Sequence, residues 1–232
     1  MNKEEFIKYL NLEGIILNEN QLNQLEIYKD FLIEYNKNTN LTTITDEKDI
    51  YLKHFYDSLT IRKVIDLSKY NNLIDVGTGA GFPGMVLAIT YPNLNVTLLD
   101  SNNKKIKFLE ELKEKLNIDN VSIINDRSEE YALNNIDKYD IVTSRAVANM
   151  RVLTELCLPM VKVGGYFIPL KSNVEEELKE AKKIVDILKG SIIKIEKFNL
   201  PVENSLRNIL LIKKIDKNPK GYPRNYNKIK KG

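Results

Sequence analysis

The spacing of hydrophobic residues changes near Asn72 and divides the chain into a helical first part and an alternating second part. In the first part, the run from Asn18 to Gln21 is typical of a capping box at a helix start. Apolar residues follow it at helical spacing: Leu22, Leu25, Tyr28, Phe31, Leu32 and Tyr35. Asp46 is placed to cap a further helix through Phe55. We predict that residues 1–70 form a helical cap on the domain that follows.

From Asn72 onward, short apolar runs alternate with segments of helical spacing. The predicted strands are Leu73–Val76, Val96–Leu99, Val121–Ile124, Ile141–Thr143, Tyr166–Pro169, Ile192–Phe198 and Ile209–Ile212. The predicted helices are Met85–Tyr91, Lys104–Leu116, Met150–Met160 and Val174–Leu188. This alternation predicts an α/β domain of parallel βαβ units over residues 71–214. No helix-length segment separates the last two strands, so we expect an antiparallel hairpin at the sheet edge. This is the Rossmann-like, seven-stranded layout of class I methyltransferases.

The most informative segment is the glycine-rich turn of residues 73–84, which reads Leu-Ile-Asp-Val-Gly-Thr-Gly-Ala-Gly-Phe-Pro-Gly. Glycines let the backbone turn sharply and approach a ligand closely. The turn contains the G-x-G-x-x-G spacing of dinucleotide sites, so an NAD(P)-dependent oxidoreductase is one interpretation. Two acids favour S-adenosylmethionine instead. Asp75 precedes the first glycine, and Asp100 ends the next apolar run, where it can accept hydrogen bonds from a ribose. NAD enzymes need only the second of these acids.

Ligands of open α/β sheets bind outside the carboxyl ends of the strands. This rule predicts a cofactor pocket from the residues that follow each strand: Gly77, Gly79, Phe82, Asp100, Ser128, Glu129 and Arg145. Glu129 is equally consistent with an acid in the first turn of a helix. Arg145 follows a strand directly, which favours a role in orienting the substrate over a surface salt bridge.

Composition narrows the protein class without deciding the function. Hydrophobic residues make up 43% and charged residues 29% of the chain, as in ordinary globular proteins. One cysteine allows no intrachain disulfide, and no apolar run approaches the ~20 residues of a membrane span. We therefore expect a cytoplasmic protein. Cys157 is predicted to be a buried apolar residue, and His54, the only histidine, a packed residue. No metal site is expected.

The net charge of +3 does not by itself indicate a nucleic-acid partner, but the charge distribution does. Residues 215–232 form a basic tail with Tyr222 and Tyr226 between its cations. Cations can neutralise phosphates and tyrosines can stack on unpaired bases, although a frayed, solvated chain end has the same composition. Candidate RNA contacts are Lys171, Arg207 and Arg224. We expect the tail to leave cofactor affinity unchanged, because it is distant in sequence from the glycine-rich turn.

Several segments together carry a resemblance to a known family: Asn40–Thr42, His54–Leu59, Asp75–Gly84, Leu98–Ser101, Thr143–Ala146 and Leu170–Lys171. With these segments in order over nearly its whole length, the chain resembles the bacterial 16S ribosomal RNA methyltransferase G family, formerly called glucose-inhibited division protein B. The resemblance implies S-adenosylmethionine-dependent methylation of guanine N7 at one guanosine, numbered 527, in the 16S rRNA of the small (30S) ribosomal subunit. It also implies cofactor contacts at Gly77, Phe82, Ser128, Glu129 and Arg145.

The proposed chemistry is consistent with the residue types in the chain. Guanine N7 carries a lone pair and no proton, so its methylation needs no general base. Alignment and electrostatics can then supply catalysis, and Arg145 is the best candidate for orienting the substrate. Besides the NAD(P)-dependent oxidoreductase, a second alternative is a ribosome-assembly factor that keeps the fold without transferring a methyl group.

Overall fold

The computed structural model describes residues 1–145 and 148–231. Ala146, the last residue of the resembling segment Thr143–Ala146, and Gly232 of the tail lie outside the described residues. The first part of the chain is helical, as predicted. It contains α1 (Lys3–Leu12), α2 (Glu19–Thr39), α3 (Glu47–Asp49), a π-helix (Ile50–Tyr56), α4 (Asp57–Leu59) and two 3₁₀ turns (Thr60–Lys63 and Leu67–Lys69).

The helix caps predicted from sequence are present. The Asn18 side chain accepts from Gln21 N at 2.9 Å, and the Gln21 side chain accepts from Asn18 N at 2.9 Å. Asp46 Oδ1 accepts from the amides of Lys48 and Asp49 at 3.0 and 3.2 Å. The helix that Asp46 begins is not regular, however, because it widens into the π-helix. Six of the seven residues of this π-helix are buried.

All seven predicted strands are present, each longer than the apolar run that predicted it. They are β1 (Asn72–Val76), β2 (Asn95–Asp100), β3 (Val121–Asn125), β4 (Tyr139–Arg145), β5 (Val161–Lys171), β6 (Gly190–Asn199) and β7 (Leu206–Lys214). The sheet order is β3-β2-β1-β4-β5-β7-β6, with β1 to β5 parallel and β7 antiparallel to both its neighbours. The edge hairpin is thus confirmed.

Strand β5 begins five residues before its predicted start. The prediction missed this part of the strand because it contains two glycines. Gly164 and Gly165 weaken a strand pattern, since they bring no side chain to pack. At Gly165 a Cβ would lie only 2.5 Å from the Asp140 carbonyl oxygen. Close packing of the backbone therefore explains the residue type at this position.

The helices of the second part are α5 (Gly84–Thr90), α6 (Asn103–Leu116), α7 (Ser128–Leu133), α8 (Met150–Cys157), α9 (Leu178–Ile187) and α10 (Tyr226–Lys231). A 3₁₀ turn, Leu158–Met160, continues α8 to its predicted end. Helix α9 starts later than predicted, because a turn closed by Glu177 N and Val174 O at 3.1 Å precedes it. Helices α7 and α10 were not predicted.

Hydrophobic clusters cover both faces of the sheet. One joins the helical first part to the sheet, with Tyr28 and Phe55 packed in the same cluster as Leu73 and Met85. The other lies under α8 and α9 and includes Ile229 of α10. The two ends of the chain therefore pack against the central domain. Among the described residues, no helix is long and apolar enough to cross a membrane.

Candidate cofactor-binding site

The buried side chain of Asp75 accepts hydrogen bonds from two residues of the glycine-rich turn. Its Oδ2 accepts from Thr78 Oγ1 at 2.7 Å and from Gly84 N at 2.8 Å. Its Oδ1 is buried and has no hydrogen-bond partner among the described residues. Burial raises the pKa of this carboxyl to about 6, although the two hydrogen bonds oppose the shift. One acceptor atom beneath the turn thus remains for a ligand or an ordered water.

The turn presents open backbone to the space above it. Gly77 and Gly79 have φ values of +70° and +62°, in the left-handed region that favours glycine. A Cβ built on Gly79 would meet no described atom within 4 Å. A ligand can therefore approach the backbone here without meeting a side chain.

Asp100 lies at the carboxyl end of β2, beside this turn. Its Oδ2 accepts from Gly79 N and its Oδ1 from Asn102 N, each at 2.9 Å. Lys105 Nζ lies 3.6 Å from Oδ2. A carboxylate has about four acceptor positions. The protein thus orients Asp100 and leaves it able to accept from the hydroxyls of a ribose.

The other end of the site lies at the start of α7. Arg127 Nε donates to Glu129 Oε1 at 2.7 Å, and Glu129 is buried. Glu129 occupies the first turn of α7, so both interpretations of it from the sequence agree with its position. The guanidinium of Arg127 lies 5.3 Å from the centroid of the Tyr226 ring on α10.

A cavity of about 520 Å³ joins these groups. All seven predicted cofactor residues line it, and so do Leu156 and Tyr226, which the sequence analysis did not place there. Its volume is within the range of small-molecule sites. Tyr226 belongs to the tail, which the sequence analysis expected to leave cofactor affinity unchanged, and yet it lines this cavity. The sequence analysis interpreted Tyr226 as a residue that could stack on RNA bases, because it lies among the cations of the tail.

Aromatic stacking supports one wall of the cavity. The Phe82 ring is nearly parallel to the rings of Tyr28 and His54, with centroid distances of 5.2 and 4.0 Å. The Arg145 guanidinium lies 5.3 Å from the Phe82 centroid. Phe82 is therefore held between the helical first part and the sheet.

His54 is packed, as predicted, and is not a free base. Burial, assisted by the nearby charge of Arg145, lowers its pKa to about 3, so the imidazole is neutral at pH 7. Arg145 Nη2 lies 3.1 Å from Nδ1, and Thr42 Oγ1 lies 3.1 Å from Nε2. A guanidinium can only donate, so Nδ1 is the acceptor and Nε2 carries the proton.

Arg145 links β4 to the helical first part. Its Nη1 donates to Lys53 O at 2.9 Å and lies 3.4 Å from Asp57 Oδ2. Arg207 Nε donates to the other oxygen of the same carboxylate at 3.1 Å. Two of the three arginines predicted to act on the substrate thus share Asp57, which the sequence analysis did not single out.

A second cavity, of about 290 Å³, adjoins the first. His54 and Arg145 line both, and Lys171, Arg207 and Asp57 line only the second. Lys171 Nζ contacts Ala148 O at 2.7 Å and Glu177 Oε2 at 3.0 Å. The carboxyl ends of β4 and β5 and the start of β7 thus bring three of the predicted cations to one place.

Arg224 lies elsewhere, in contact with α8. Its Nε and Nη2 donate to the two oxygens of Glu155 at 2.8 and 2.7 Å. Glu155 is fully buried. The structure therefore gives this predicted RNA contact a partner inside the protein.

Comparison with known proteins decides the family. A family profile described as rRNA small subunit methyltransferase G matches residues 21–206. The chain belongs to this family. It is 48% identical over 227 residues to ribosomal RNA small subunit methyltransferase G of Bacillus subtilis, a match that covers 97% of this chain and 95% of the relative. It is 45% identical over the same coverage to the protein of that name from Listeria monocytogenes serotype 4b.

Solved structures support the fold. A SAM-dependent methyltransferase from Aquifex aeolicus aligns with a TM-score of 0.54 at 16% identity, over 75% of this chain and 96% of that one. M. jannaschii TYW2 in complex with AdoMet aligns with a TM-score of 0.54 at 14% identity, over 68% of this chain and 77% of that one. The predicted class I fold is confirmed. The enzyme class, an S-adenosylmethionine-dependent methyltransferase, is confirmed by the family.

Proposed function

We propose that the protein transfers the methyl group of S-adenosylmethionine to N7 of guanosine 527 in 16S rRNA of the small ribosomal subunit. One observation carries the proposal. A cavity with glycine and carboxylate walls adjoins a second cavity lined by cations, and Arg145 and His54 line both. Such a pair suits a nucleoside cofactor beside a nucleic-acid acceptor.

The residues of the first cavity fit the cofactor. The turn at Gly77 and Gly79 admits close approach, and Asp100 retains acceptor capacity for ribose hydroxyls. Asp75 lies fully buried beneath the turn, outside the cavity lining, and its Oδ1 has no partner among the described residues. When bound, S-adenosylmethionine supplies a methyl group activated by its sulfonium.

The site supports methyl transfer without a general base. His54 is neutral and both of its nitrogens are engaged. Guanine N7 offers a lone pair, so no proton has to be removed before the new N–C bond forms. Arg145 makes three of its five possible N–H contacts with acceptors in the described part of the chain. The remaining donors favour Arg145 as the group that orients the acceptor.

For RNA contact, the tail now has more support than the predicted single cations. Lys171, Arg207 and Arg224 each pair with a carboxylate at 2.7–3.1 Å. The exposed lysines of the tail are Lys217, Lys220, Lys228, Lys230 and Lys231. Paired cations gain less from meeting a phosphate, because an existing interaction must be given up. We therefore expect the exposed lysines to supply most phosphate contacts.

The deciding experiment is methyl incorporation into small subunits from a strain that lacks this modification. With labelled S-adenosylmethionine, nucleoside analysis should show 7-methylguanosine at position 527 only. No incorporation, despite binding of the cofactor and the subunit, would favour an assembly factor. Binding of NAD in place of S-adenosylmethionine in calorimetry would favour an oxidoreductase.

Asp100→Ala tests the cofactor assignment directly. Removing the ribose acceptor should weaken S-adenosylmethionine binding by about 1–3 kcal/mol, measured by calorimetry. Asp119→Ala, which removes an exposed carboxylate that does not line the cavity, is the control and should leave affinity unchanged. Equal affinities in the two variants would contradict the assignment.

A further inference from the structure

We propose that helix α10 is part of the cofactor site and that Tyr226 forms the wall of its adenine end. This inference rests on the proposed use of S-adenosylmethionine. It gives the C-terminal segment a role in holding the cofactor, in addition to any role in contacting RNA.

Tyr226 is placed at the cavity by its surroundings. It is half-buried and lines the cavity together with Ser128 and Glu129. The Arg127 guanidinium and the Lys230 ammonium each lie 5.3 Å from the centroid of its ring. Cations at this distance are attracted by the ring and restrict its movement.

The segment that carries Tyr226 is tied to α8 on both sides of the tyrosine. Before it, Arg224 makes a bidentate pair with Glu155, which is fully buried. After it, Arg151 Nη1 donates to Ile229 O at 2.6 Å, and the Ile229 side chain is fully buried. Charge-assisted bonds whose acceptor side is buried hold a defined geometry. The position of the ring therefore follows from the fold and not from a chance contact of a loose chain end.

The order of the strands indicates which part of the cofactor faces Tyr226. The turn after β1 and Asp100 after β2 bound the amino-acid and ribose parts of the site. The residues that follow β3, the next strand outward, bound the part beyond the ribose, which is the base. Arg127, the contact of Tyr226, belongs to this group. The tyrosine ring makes this end partly aromatic, which suits a planar purine.

The test compares the affinities of Tyr226→Ala and Tyr226→Phe for S-adenosylmethionine and for adenosine, by calorimetry. Stacking or edge contact with a base typically accounts for a tenfold or larger change on substitution by alanine, so we expect about a tenfold loss for both ligands in Tyr226→Ala. Tyr226→Phe keeps the ring and should bind within about twofold of wild type. Asn227→Ala, an exposed neighbour on the same helix, is the matched control and should bind like wild type.

Hydrogen exchange supplies a readout that does not depend on catalysis. Adenosine should slow exchange of the amides in residues 224–231 of the wild-type protein. Unchanged affinity in Tyr226→Ala, or exchange unaffected by adenosine, would overturn the inference. A loss for S-adenosylmethionine without a loss for adenosine would also overturn it, by placing the tyrosine at the amino-acid end. If the wild type binds neither ligand, the proposed function itself fails.

Discussion

At the scale of single residues, two glycines of the same turn differ in what surrounds them. A Cβ on Gly79 would enter open space, whereas on Gly84 it would lie 2.4 Å from Leu98 Cδ2 and 2.8 Å from Asp75 Cβ. Gly79 therefore leaves space at the cavity, and Gly84 lets the start of α5 pack closely against β1 and β2. The sequence motif contains both glycines and does not separate their roles.

Gly79→Ala and Gly84→Ala form a matched pair that separates binding from folding. Gly79 lines the cavity and a methyl added there meets open space, so in Gly79→Ala we expect S-adenosylmethionine binding to be lost, with about 1 kcal/mol of backbone strain. In Gly84→Ala overpacking should cost about 2 kcal/mol, equivalent to about 4–8 °C in Tm for a chain of this length. Calorimetry and thermal unfolding measure the two effects. Full cofactor affinity in Gly79→Ala would contradict the pocket.

His54 makes stability depend on pH in a predictable direction. Its pKa is about 3 in the folded protein, against an ordinary value of 6.5. Between these values the unfolded chain binds a proton at this residue and the folded chain does not. The free energy of unfolding should therefore fall as the pH falls through this window, by about 1.4 kcal/mol per pH unit at the steepest.

Urea unfolding of the wild type and of His54→Gln from pH 7 to pH 4 measures the contribution of His54 to the free energy of unfolding. Because the chain has one histidine, the difference between the two curves reports its titration alone. As the pH falls below 6.5, the free energy of unfolding of the wild type should decrease more than that of His54→Gln. Parallel curves would show that His54 titrates normally in the folded protein.

At the scale of elements, one carboxylate joins three of them. Asp57 of α4 pairs with Arg145 of β4 and Arg207 of β7, and its side chain is 7% exposed. The pairing fixes the helical first part against the carboxyl edge of the sheet, where both cavities lie. Arg145 and His54 are thereby held in the wall between the cavities.

Asp57→Asn should destabilise the protein by about 3 kcal/mol, because it leaves two arginines that are mostly buried without a counter-charge. Glu34→Gln, at the exposed pair with Lys37, is the control and should cost less than about 0.5 kcal/mol. Denaturant unfolding compares the two. Similar small losses in both variants would show that Asp57 does not join the elements energetically.

At the scale of the whole molecule, both the helical first part and the last helix contribute to the central cavity. Thr42 and His54 line it from the helical first part, and Tyr226 from the last helix. Helix α10 also carries three exposed lysines, Lys228, Lys230 and Lys231. The C-terminal segment thus offers a side chain to the cavity proposed for the cofactor and cations to solvent.

Replacing these three lysines by glutamine should weaken binding to the small subunit and reduce its dependence on salt. The salt dependence is the slope of the logarithm of the binding constant against the logarithm of the salt concentration. For each lost phosphate contact the size of this slope should decrease by about 0.7–0.9. The control replaces three exposed lysines of α9, Lys179, Lys182 and Lys183, and removes the same charge. Equal slopes in the two triple variants would show that the tail makes no particular contact with RNA.

Local patterns in the sequence were sufficient for most of the architecture. Seven apolar runs predicted the seven strands, and Asn18 and Asp46 predicted helix starts, because a cap or a strand period depends on residues close in sequence. The glycine-rich turn and Asp100 indicated the cofactor edge, since parallel strands bring their carboxyl ends to the same side. Strand β5 is longer than predicted at the point where Gly165 packs against Asp140 of β4. This contact joins two strands and does not follow from the local sequence pattern.

The sequence by itself therefore determined the fold class, the family and the residues at the ends of the strands. Only the tertiary structure decided how these residues are paired. It placed Asp57 between Arg145 and Arg207, matched Arg224 with the buried Glu155, and brought Tyr226 to the cavity proposed for the cofactor. These partners are far apart in the chain. Their contacts depend on how helices and strands pack against each other, and no local spacing of residue types records that.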